Sequence, residues 1–475
     1  MSDNNQAAAT DLIFALNDKP PALQAFFAGL QHLMAIFVGI VTPPIIISGA
    51  LGLDVQQSSF IISMALFASG ISTFIQVRKF GPIGSGLLSI QGTSFTFLGS
   101  VIAAGLAVKA GGGTIEAALA TIFAVCFFGS FVEMIFSRFI PFLKKIITPL
   151  VSGIVVTLIG MSLIRVGITD IAGGQYVKDN IPDAFATLQN LGLAAIVLVV
   201  IVVLNRSKKN FLRMSAIFIG LVVGYIVAAA LGKVNFDRLA GLAIIQAPIP
   251  LRYGLGNINW GVLGASLIPM MLLYLITTVE SIGDLTATSM VSGEPIEGEL
   301  YMKRIAGGVL GDGVNSAIAA IFNSFPNTTF SQNNGVIQMT GVASRKVGFY
   351  IAGMLAVVGL FPIVGGLFSI IPASVLGGAT IIMFGTVAAA GIRIIASSTI
   401  DRRGVLIMAI SFGLGLGVAF VPEVLKNFSP VFKSIFGSAI TTGGLSAIFL
   451  NIVLPRSLRQ QKVGNPPSTG FEDVN

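Results

Sequence analysis

Acidic and amide side chains are the residues of this chain that could do chemistry, and they stand in two short polar clusters. The first cluster contains Glu280 and Asp284. The second contains Gln332 and Asn333. Both clusters lie among long apolar stretches. Because ionisable and amide groups are costly at membrane depth, they mark a substrate or ion pathway by default. The pattern therefore indicates a buried polar site in a transporter rather than in a soluble enzyme.

The carboxylates of the first cluster could carry protons. Glu280 and Asp284 are four residues apart, which places them on one face of a helix. Two carboxylates on one buried face repel each other, so one of them can bind and release a proton near neutrality. For Asp284 an architectural role is favoured over direct contact with a substrate. Asp312, in a glycine-rich segment, is predicted to bridge helices or take part in proton transfer, with simple structural pairing as its alternative.

The amides of the second cluster suit a planar ligand. Gln332 and Asn333 follow a bend in the chain at Pro326. A side-chain amide offers one acceptor and two donors, which matches a flat ring with alternating N–H and C=O edges. The alternative is that these amides only satisfy broken backbone, since interrupted membrane helices need polar partners. We expect both roles.

Two other polar side chains lie in apolar segments. His32 is the single histidine of the chain and is expected to form a hydrogen bond between helices rather than to titrate. Glu133 lies near the predicted cytoplasmic end of its segment. We expect it to pair with nearby basic residues and to have no part in transport.

Composition sets the class of protein. The 475 residues are 54% hydrophobic and only 10% charged, whereas a soluble domain carries about 25% charged residues. This is predicted to be a polytopic membrane protein in a lipid bilayer. The net charge of +8 does not indicate nucleic acid, because the basic residues stand at the ends of apolar segments. One histidine and one cysteine argue against a membrane enzyme and against a metal site, and no cofactor is expected.

Hydropathy predicts fourteen spanning segments, each of about 20 largely apolar residues. The third and tenth are short, polar and interrupted by glycine, so twelve spans with two re-entrant segments are the alternative. The segments lie near residues 24–49, 57–76, 84–107, 115–138, 146–168, 190–205, 212–232, 259–282, 304–322, 330–342, 347–369, 372–395, 404–421 and 434–454.

The basic residues predict the orientation of these segments, because cytoplasmic loops carry an excess of Lys and Arg. With both weak segments counted as spans and both termini in the cytoplasm, 20 of the 28 basic residues fall on the cytoplasmic side. They are Lys19, Arg78, Lys79, Arg138, Lys144, Lys145, Arg206, Lys208, Lys209, Arg213, Lys303, Arg304, Arg345, Lys346, Arg393, Arg402, Arg403, Arg456, Arg459 and Lys462.

A weak internal repeat relates two of the segments. The spacing from Gly153 to Gly377 equals that from Gly167 to Gly391. Because seven spans per half is an odd number, the two halves would be inverted in the membrane. Inverted repeats with interrupted helices place a substrate site near the midplane, and the third and tenth segments are the matching interruptions. Chance similarity between apolar segments is the alternative.

The motif at Gln332 resembles the signature of the nucleobase–ascorbate transporter family, also called nucleobase:cation symporter-2. That signature is Gln or Glu, Asn, any residue, Gly, four residues, then Thr, here Gln332, Asn333, Gly335 and Thr340. The following Val342 to Arg345 is similar to the bacterial xanthine permeases of the family. So are residues 31–33, 89–95, 280–284 and 300–304. The resemblance runs in order through residues 20–455.

The resemblance implies an all-α polytopic fold with fourteen transmembrane segments as two inverted sets of seven, and with short strands in segments 3 and 10. It also implies a homodimer and coupling to protons. The implied division is a cytoplasmic N-terminal tail 1–20, a core domain 21–138 and 259–369, a gate domain 146–232 and 372–454, and a cytoplasmic tail 455–475.

The resemblance also implies the site. Glu280 and Gln332 would hydrogen-bond a purine nucleobase, and Phe95 and Ser331 would add backbone contacts or packing. Ser94 stands where some xanthine-selective relatives have Asn, so we expect it to tune selectivity. The remaining four residues would support the site or couple it to protons: His32, Asp284, Asp312 and Asn333.

The function implied is a proton-coupled symporter that imports xanthine across the bacterial inner membrane by alternating access. Gln332 rather than Glu favours xanthine-like purines. A permease for uric acid or for purines such as hypoxanthine and guanine is the alternative. A uracil permease is less favoured than either. An anion exchanger of the same architecture would place a basic residue or helix N-termini at the site, where this chain has Glu280.

Overall fold

The computed structural model describes residues 12–398 and 400–455 as a mostly helical chain with one two-stranded sheet. The strands are β1 Gln91–Thr93 and β2 Asn327–Thr329. The helices are α1 Ala22–Leu51, α2 Val55–Arg78, α3 Leu98–Ala110, α4 Ile115–Phe136, α5 Ile140–Ile146, α6 Pro149–Ile171, α7 Gln175–Asn180, α8 Leu188–Asn205, α9 Asn210–Met214, α10 Ala216–Ala230, α11 Trp260–Val291, α12 Gly298–Ile321, α13 Gln332–Thr340, α14 Arg345–Val358, α15 Pro362–Ser369, α16 Ala373–Ala396, α17 Arg402–Phe420, α18 Pro430–Phe436 and α19 Ala439–Val453.

Eight helices of the described chain are both long enough and apolar enough to cross a membrane, and these are α1, α2, α4, α6, α8, α11, α16 and α17. The number becomes nine if α14 and α15, which meet at a bend of 79°, form one span. The prediction of a polytopic, mostly helical membrane protein is confirmed at this level. Helices α3, α10 and α19 are apolar but shorter.

Extended backbone interrupts the predicted third segment and stands just before the predicted tenth. Strands β1 and β2 pair antiparallel, with Gly92 opposite Thr328 at the centre. β1 lies inside the predicted third segment, whereas β2 ends at Thr329, one residue before the predicted start of the tenth. Both strands are buried. Backbone at membrane depth must be hydrogen-bonded within the protein, and here the N–H and C=O groups of one strand pair with those of the other.

Local sequence sets where the helices around the sheet begin. The Asn259 side chain accepts a hydrogen bond from the Val262 N–H at 3.0 Å and starts α11. Asp54 and Gln57 form a capping box at the start of α2. Thr148 caps α6, and Pro149 occupies its first position, where a missing N–H has no consequence. Polar residues therefore stand where helices must start.

The two helices of the sequence repeat, α6 and α16, pack directly against each other. A Cβ atom added at Gly160 would lie 2.3 Å from the backbone nitrogen of Ala388. One added at Gly391 would lie 2.3 Å from the backbone nitrogen of Thr157. Small residues at such crossings let two membrane helices approach closely. Glycine is therefore required at this contact because of space.

The described part of the predicted N-terminal tail is bound to the protein. The Ile13 N–H donates to the Gly341 carbonyl at 2.8 Å, and the Ala343 N–H donates to the Phe14 carbonyl at 2.8 Å. Residues 12–20 thus lie along the loop between α13 and α14. The rest of tail 1–20, residues 1–11, and residues 456–475 of tail 455–475 lie outside the described residues.

Replacing Gly391 with valine should destabilise the protein. The added side chain meets the Thr157 backbone, and overpacking of this kind costs about 1–3 kcal/mol. We expect the purified Gly391→Val variant to unfold at a lower temperature in detergent than the parent protein. Gly385→Val is the control, because Gly385 is exposed on the same helix and has nothing within 4 Å of an added Cβ. Equal melting temperatures for the two variants would contradict the packing argument.

Candidate functional site

The first polar cluster lies on one face of α11, where that helix meets the strand pair. Glu280 is buried, and its Oε2 accepts a hydrogen bond from the Thr96 hydroxyl at 3.2 Å. One turn further, Asp284 Oδ2 is 3.4 Å from the Thr329 hydroxyl. Thr96 follows β1 and Thr329 ends β2. The chain at each of the two strands therefore supplies a hydroxyl to one carboxylate of α11.

Asp312 of α12 is enclosed by side chains from two neighbouring helices. Gln76 of α2 donates from Nε2 to Asp312 Oδ1 at 2.6 Å and to the Gly308 carbonyl at 2.8 Å. The Ser281 hydroxyl of α11 donates to Asp312 Oδ2. Gln76 is fixed in turn, because its Oε1 accepts from the Ser85 N–H at 2.8 Å. Asp312 thus links α2, α11 and α12, and its part in proton transfer stays a prediction.

A cavity of about 580 Å³ lies beside these groups. Asp284, Ser331 and Gln332 are among its lining residues, together with Asn334. Asn334 is held in place because its Oδ1 accepts from the Thr288 hydroxyl at 2.7 Å. Glu280 lies one helical turn before Asp284 in α11. The structure therefore brings three of the predicted site residues to one cavity, and Glu280 lies one turn away from its lining.

The predicted aromatic residue of the third segment contacts another helix. Phe95 is buried and packs edge-on against Phe384 of α16, with 5.2 Å between ring centroids. Ser94 is also buried, and its hydroxyl accepts from the Thr96 N–H at 3.3 Å, which caps the short 3-10 turn at residues 95–97. Neither side chain is among those that line the cavity. Their predicted contact with a ligand stays a prediction.

His32 and Asn333 lie together away from the cavity. His32 is completely buried in α1, and its imidazole interacts with the Asn333 side chain without reaching normal hydrogen-bond geometry. Asn333 donates from Nδ2 to the Leu88 carbonyl, just before β1. The pair connects α1, α13 and the third segment. This arrangement fits a supporting role for both residues.

Two polar residues that the sequence reasoning missed belong to this site. Gln76 was overlooked although it is an amide inside a predicted spanning segment, 57–76, which is the same signal that marked Gln332. Gln91, the first residue of β1, is fully buried and interacts with Asp312. Across the described ranges, 12–398 and 400–455, no group of three or more His, Cys, Asp or Glu side chains is arranged to hold a metal ion.

The expectation that Glu133 pairs with basic residues is wrong. Its side chain is 1% exposed. The salt bridges found among the described residues join Lys303 to Glu299 and Arg304 to Glu294. Glu133 instead lies near Asp312 and Glu280, within range of their charges. Hydropathy places a residue along a helix but does not say which face of the helix turns inward.

Comparison with known proteins identifies the family. Residues 23–424 match the model of the Permease family. The chain is a member of this family, the nucleobase–ascorbate transporters. It is similar to the xanthine permease XanP of Escherichia coli K12, at 47% identity over 96% of this chain and 98% of XanP. It is also similar to the xanthine permease XanQ of the same organism, at 46% identity over the full length of both chains. It is therefore a transporter and not an enzyme.

Solved structures of other transporters share the fold of this family member. The transmembrane domain of a cyanobacterial bicarbonate transporter, BicA, superposes with a TM-score of 0.55 at 17% identity, over 89% of this chain and all of that one. The murine anion transporter Slc26a9, in an inward-facing state, gives a TM-score of 0.55 at 12% identity, over 92% of this chain and 69% of that one. At these identities the likeness concerns the fold alone.

Replacing Gln76 with leucine should destabilise the protein, because the Asp312 carboxylate and the Ser85 N–H both lose a buried partner. Each unsatisfied buried group costs about 1–3 kcal/mol. We expect a clear fall in the melting temperature of the purified Gln76→Leu variant. Gln56→Leu is the matched control, since Gln56 is exposed in the first turn of the same helix. If Gln76→Leu unfolds at the temperature of the control, the hydrogen bonds of Gln76 do not support Asp312.

Proposed function

We propose that this protein is a proton-coupled symporter that imports xanthine across the bacterial inner membrane by alternating access. The observation that carries the proposal is the cavity of about 580 Å³ that places Gln332 and Asp284 at one opening, one helical turn from Glu280. The similarity to XanP and XanQ, both named xanthine permeases, supports xanthine as the substrate.

In the proposed binding mode, the Gln332 amide and the Glu280 carboxyl group both hydrogen-bond the substrate. A flat nucleobase entering between α11 and α13 meets the Gln332 amide first and the Glu280 carboxyl group deeper. The amide both donates and accepts, and a protonated carboxyl group does so as well. Together they match a purine with N–H and C=O groups along its edge. Ser331 adjoins Gln332 at the start of α13, and Phe95 and Ser94 follow β1 on the opposite side.

Coupling to protons follows from where the acidic groups lie. Glu280, Asp284 and Asp312 are all buried, and the salt bridges of the described chain include none of them. An unpaired buried carboxylate is strongly disfavoured in its charged form. We propose that Glu280 takes up a proton with the purine and releases it to the cytoplasm. The four supporting residues hold the helices of the site around it or take part in proton transfer: His32, Asp284, Asp312 and Asn333.

The proposed architecture has fourteen segments in two inverted sets of seven, with the strands in segments 3 and 10. Segments 1–4 and 8–11 form a core domain and segments 5–7 and 12–14 a gate domain. Both termini lie in the cytoplasm, and two copies form a homodimer. The contact between Phe95 and Phe384 then joins core to gate.

Under this topology the position of the cavity supports an inward-open state of the transport cycle. Its lining includes Pro149 at the start of α6, Glu297 before α12 and Arg393 near the end of α16. All three lie next to loops that the basic residues assign to the cytoplasm. The cavity therefore opens inward, towards the side where substrate is released.

Other substrate ranges are open to the same site. The small Ser94 would leave space beside the ring and favours a permease that also takes uric acid or purines such as hypoxanthine and guanine. A uracil permease fits less well, because the first signature residue is Gln332 rather than Glu. Anion exchange, which the fold alone would allow, does not suit a site built around buried acids.

Permease-deficient cells that express this protein should accumulate labelled xanthine, and an uncoupler should abolish the accumulation. Unlabelled xanthine should compete at least about 10-fold better than uracil, because uracil shares the N–H and C=O edge of xanthine but lacks its imidazole ring and the contacts which that ring would make. Urate, hypoxanthine and guanine in the same assay decide the range of purines. Uptake that persists at full level with the uncoupler would contradict proton coupling, and equal competition by uracil would contradict purine selectivity.

A further inference from the structure

Glu133 is a fourth buried carboxyl group at the site, and the proposed function leaves it without a role. It lies in the last turn of α4, 1% exposed, among apolar residues that pack inward. Its Oε1 has no hydrogen-bond partner in the part of the chain that the structure describes. A buried acidic oxygen without a partner is uncommon, and each such group calls for an explanation.

The helix packing places Glu133 beside Asp312. A Cβ added at Gly313 would lie 2.9 Å from the backbone nitrogen of Met134 and 3.1 Å from the Ser130 carbonyl. The backbones of α4 and α12 are therefore in contact at the residues that follow Glu133 and Asp312. Glycine at 313 permits this approach, and no larger residue would fit without moving one helix.

The third helix of the junction is α11, which packs against α4 on its other side. A Cβ added at Gly129 would lie 2.7 Å from the Tyr274 ring, one turn before Glu133. Tyr274 donates its hydroxyl proton to the Cys126 carbonyl at 2.8 Å, so that hydroxyl is already engaged as a donor. Thr277 of α11 interacts with the Glu133 carboxyl group.

The titratable groups that face Glu133 are acidic or phenolic. Asp312 approaches from α12, and Glu280 and Tyr274 approach from α11. No basic side chain is among the groups that act on Glu133 in the described structure. In a low-dielectric interior, several carboxylates this close cannot all be ionised. Such groups titrate together and share protons.

We propose that Glu133 forms a proton-binding cluster with Glu280 and Asp312 and shares a proton with Asp312, so that it sets the pH at which this cluster releases its proton. The step is a transfer between carboxyl groups. The O–H bond of one breaks as the O–H bond of the other forms, and the negative charge moves in the opposite direction. This inference rests on the proposed proton coupling and adds to it a residue outside the substrate cavity.

The test is the pH profile of xanthine uptake by Glu133→Gln. The amide keeps the shape of the side chain but cannot hold or release the proton. Without an anionic neighbour, Asp312 gives up its proton more readily. We therefore expect the alkaline half-maximal point of uptake to move to lower pH by about one unit, with uptake retained at acidic pH. Glu133→Asp, which keeps the carboxyl group, should have an alkaline half-maximal point of uptake close to that of the parent protein.

The matched control is Glu116→Gln, because Glu116 is the exposed acidic residue in the first turn of the same helix. Its profile should superimpose on that of the parent protein. A Glu133→Gln profile that also superimposes overturns the proposal. So does failure of Glu133→Gln to reach the membrane at the parent level, because the carboxyl group would then serve folding. If the parent protein itself shows no dependence of uptake on the proton gradient, the proposed function fails instead.

Discussion

Unsatisfied backbone is the constraint on which the rest of this structure depends. Two segments leave the helical conformation at membrane depth, and each exposes N–H and C=O groups that lipid cannot satisfy. These backbone groups are satisfied because the two segments pair with each other as strands, with Gly92 opposite Thr328 at the centre. The pairing requires a very close approach, since a Cβ at Gly92 would lie 2.0 Å from the Phe330 ring. The site is built around this contact.

The strand pair explains why the polar residues meet. It presents Thr96 and Thr329 to the two carboxylates of α11, and it directs α13 away from the sheet with Gln332 at its start. A second layer of hydrogen bonds, centred on Gln76 and Asp312, then joins α2 and α12 to α11. The carboxyl groups are thus held by hydroxyls and amides rather than by cations. Such groups can lose or gain a proton without breaking an ion pair.

Much of this was predictable from the sequence because burial of a polar residue is costly. The rule that marks an isolated acid or amide in an apolar segment selected Glu280, Asp284, Asp312 and Gln332, and the structure brings these residues into one region. The two interruptions were visible as short, glycine-containing segments. Their partnership as strands came from the family resemblance, and the boundary of β2 was shifted because Pro326 begins the extended stretch earlier than hydropathy indicates.

The rotation of each helix was not predictable in the same way. Glu133 was expected to pair with basic residues because it lies near a helix end, yet close packing at Gly129 and Gly313 turns its side chain inward. Gln76 was missed because a single amide barely changes the hydropathy of a 24-residue helix. Both errors concern the angular position of a residue, which depends on contacts with distant segments. The number of spans beyond the eight or nine long helices depends on such contacts as well.

The proposed function depends on proton movement across the membrane together with the purine, carried by the buried carboxyl groups. The most direct test measures internal pH in proteoliposomes that hold the purified protein and a trapped pH-sensitive dye. When xanthine is added outside, the interior should acidify in step with the entry of labelled xanthine. Glu280→Gln vesicles should show no acidification. Entry of labelled xanthine at the full rate with no change of internal pH in the parent protein would contradict the proposed function.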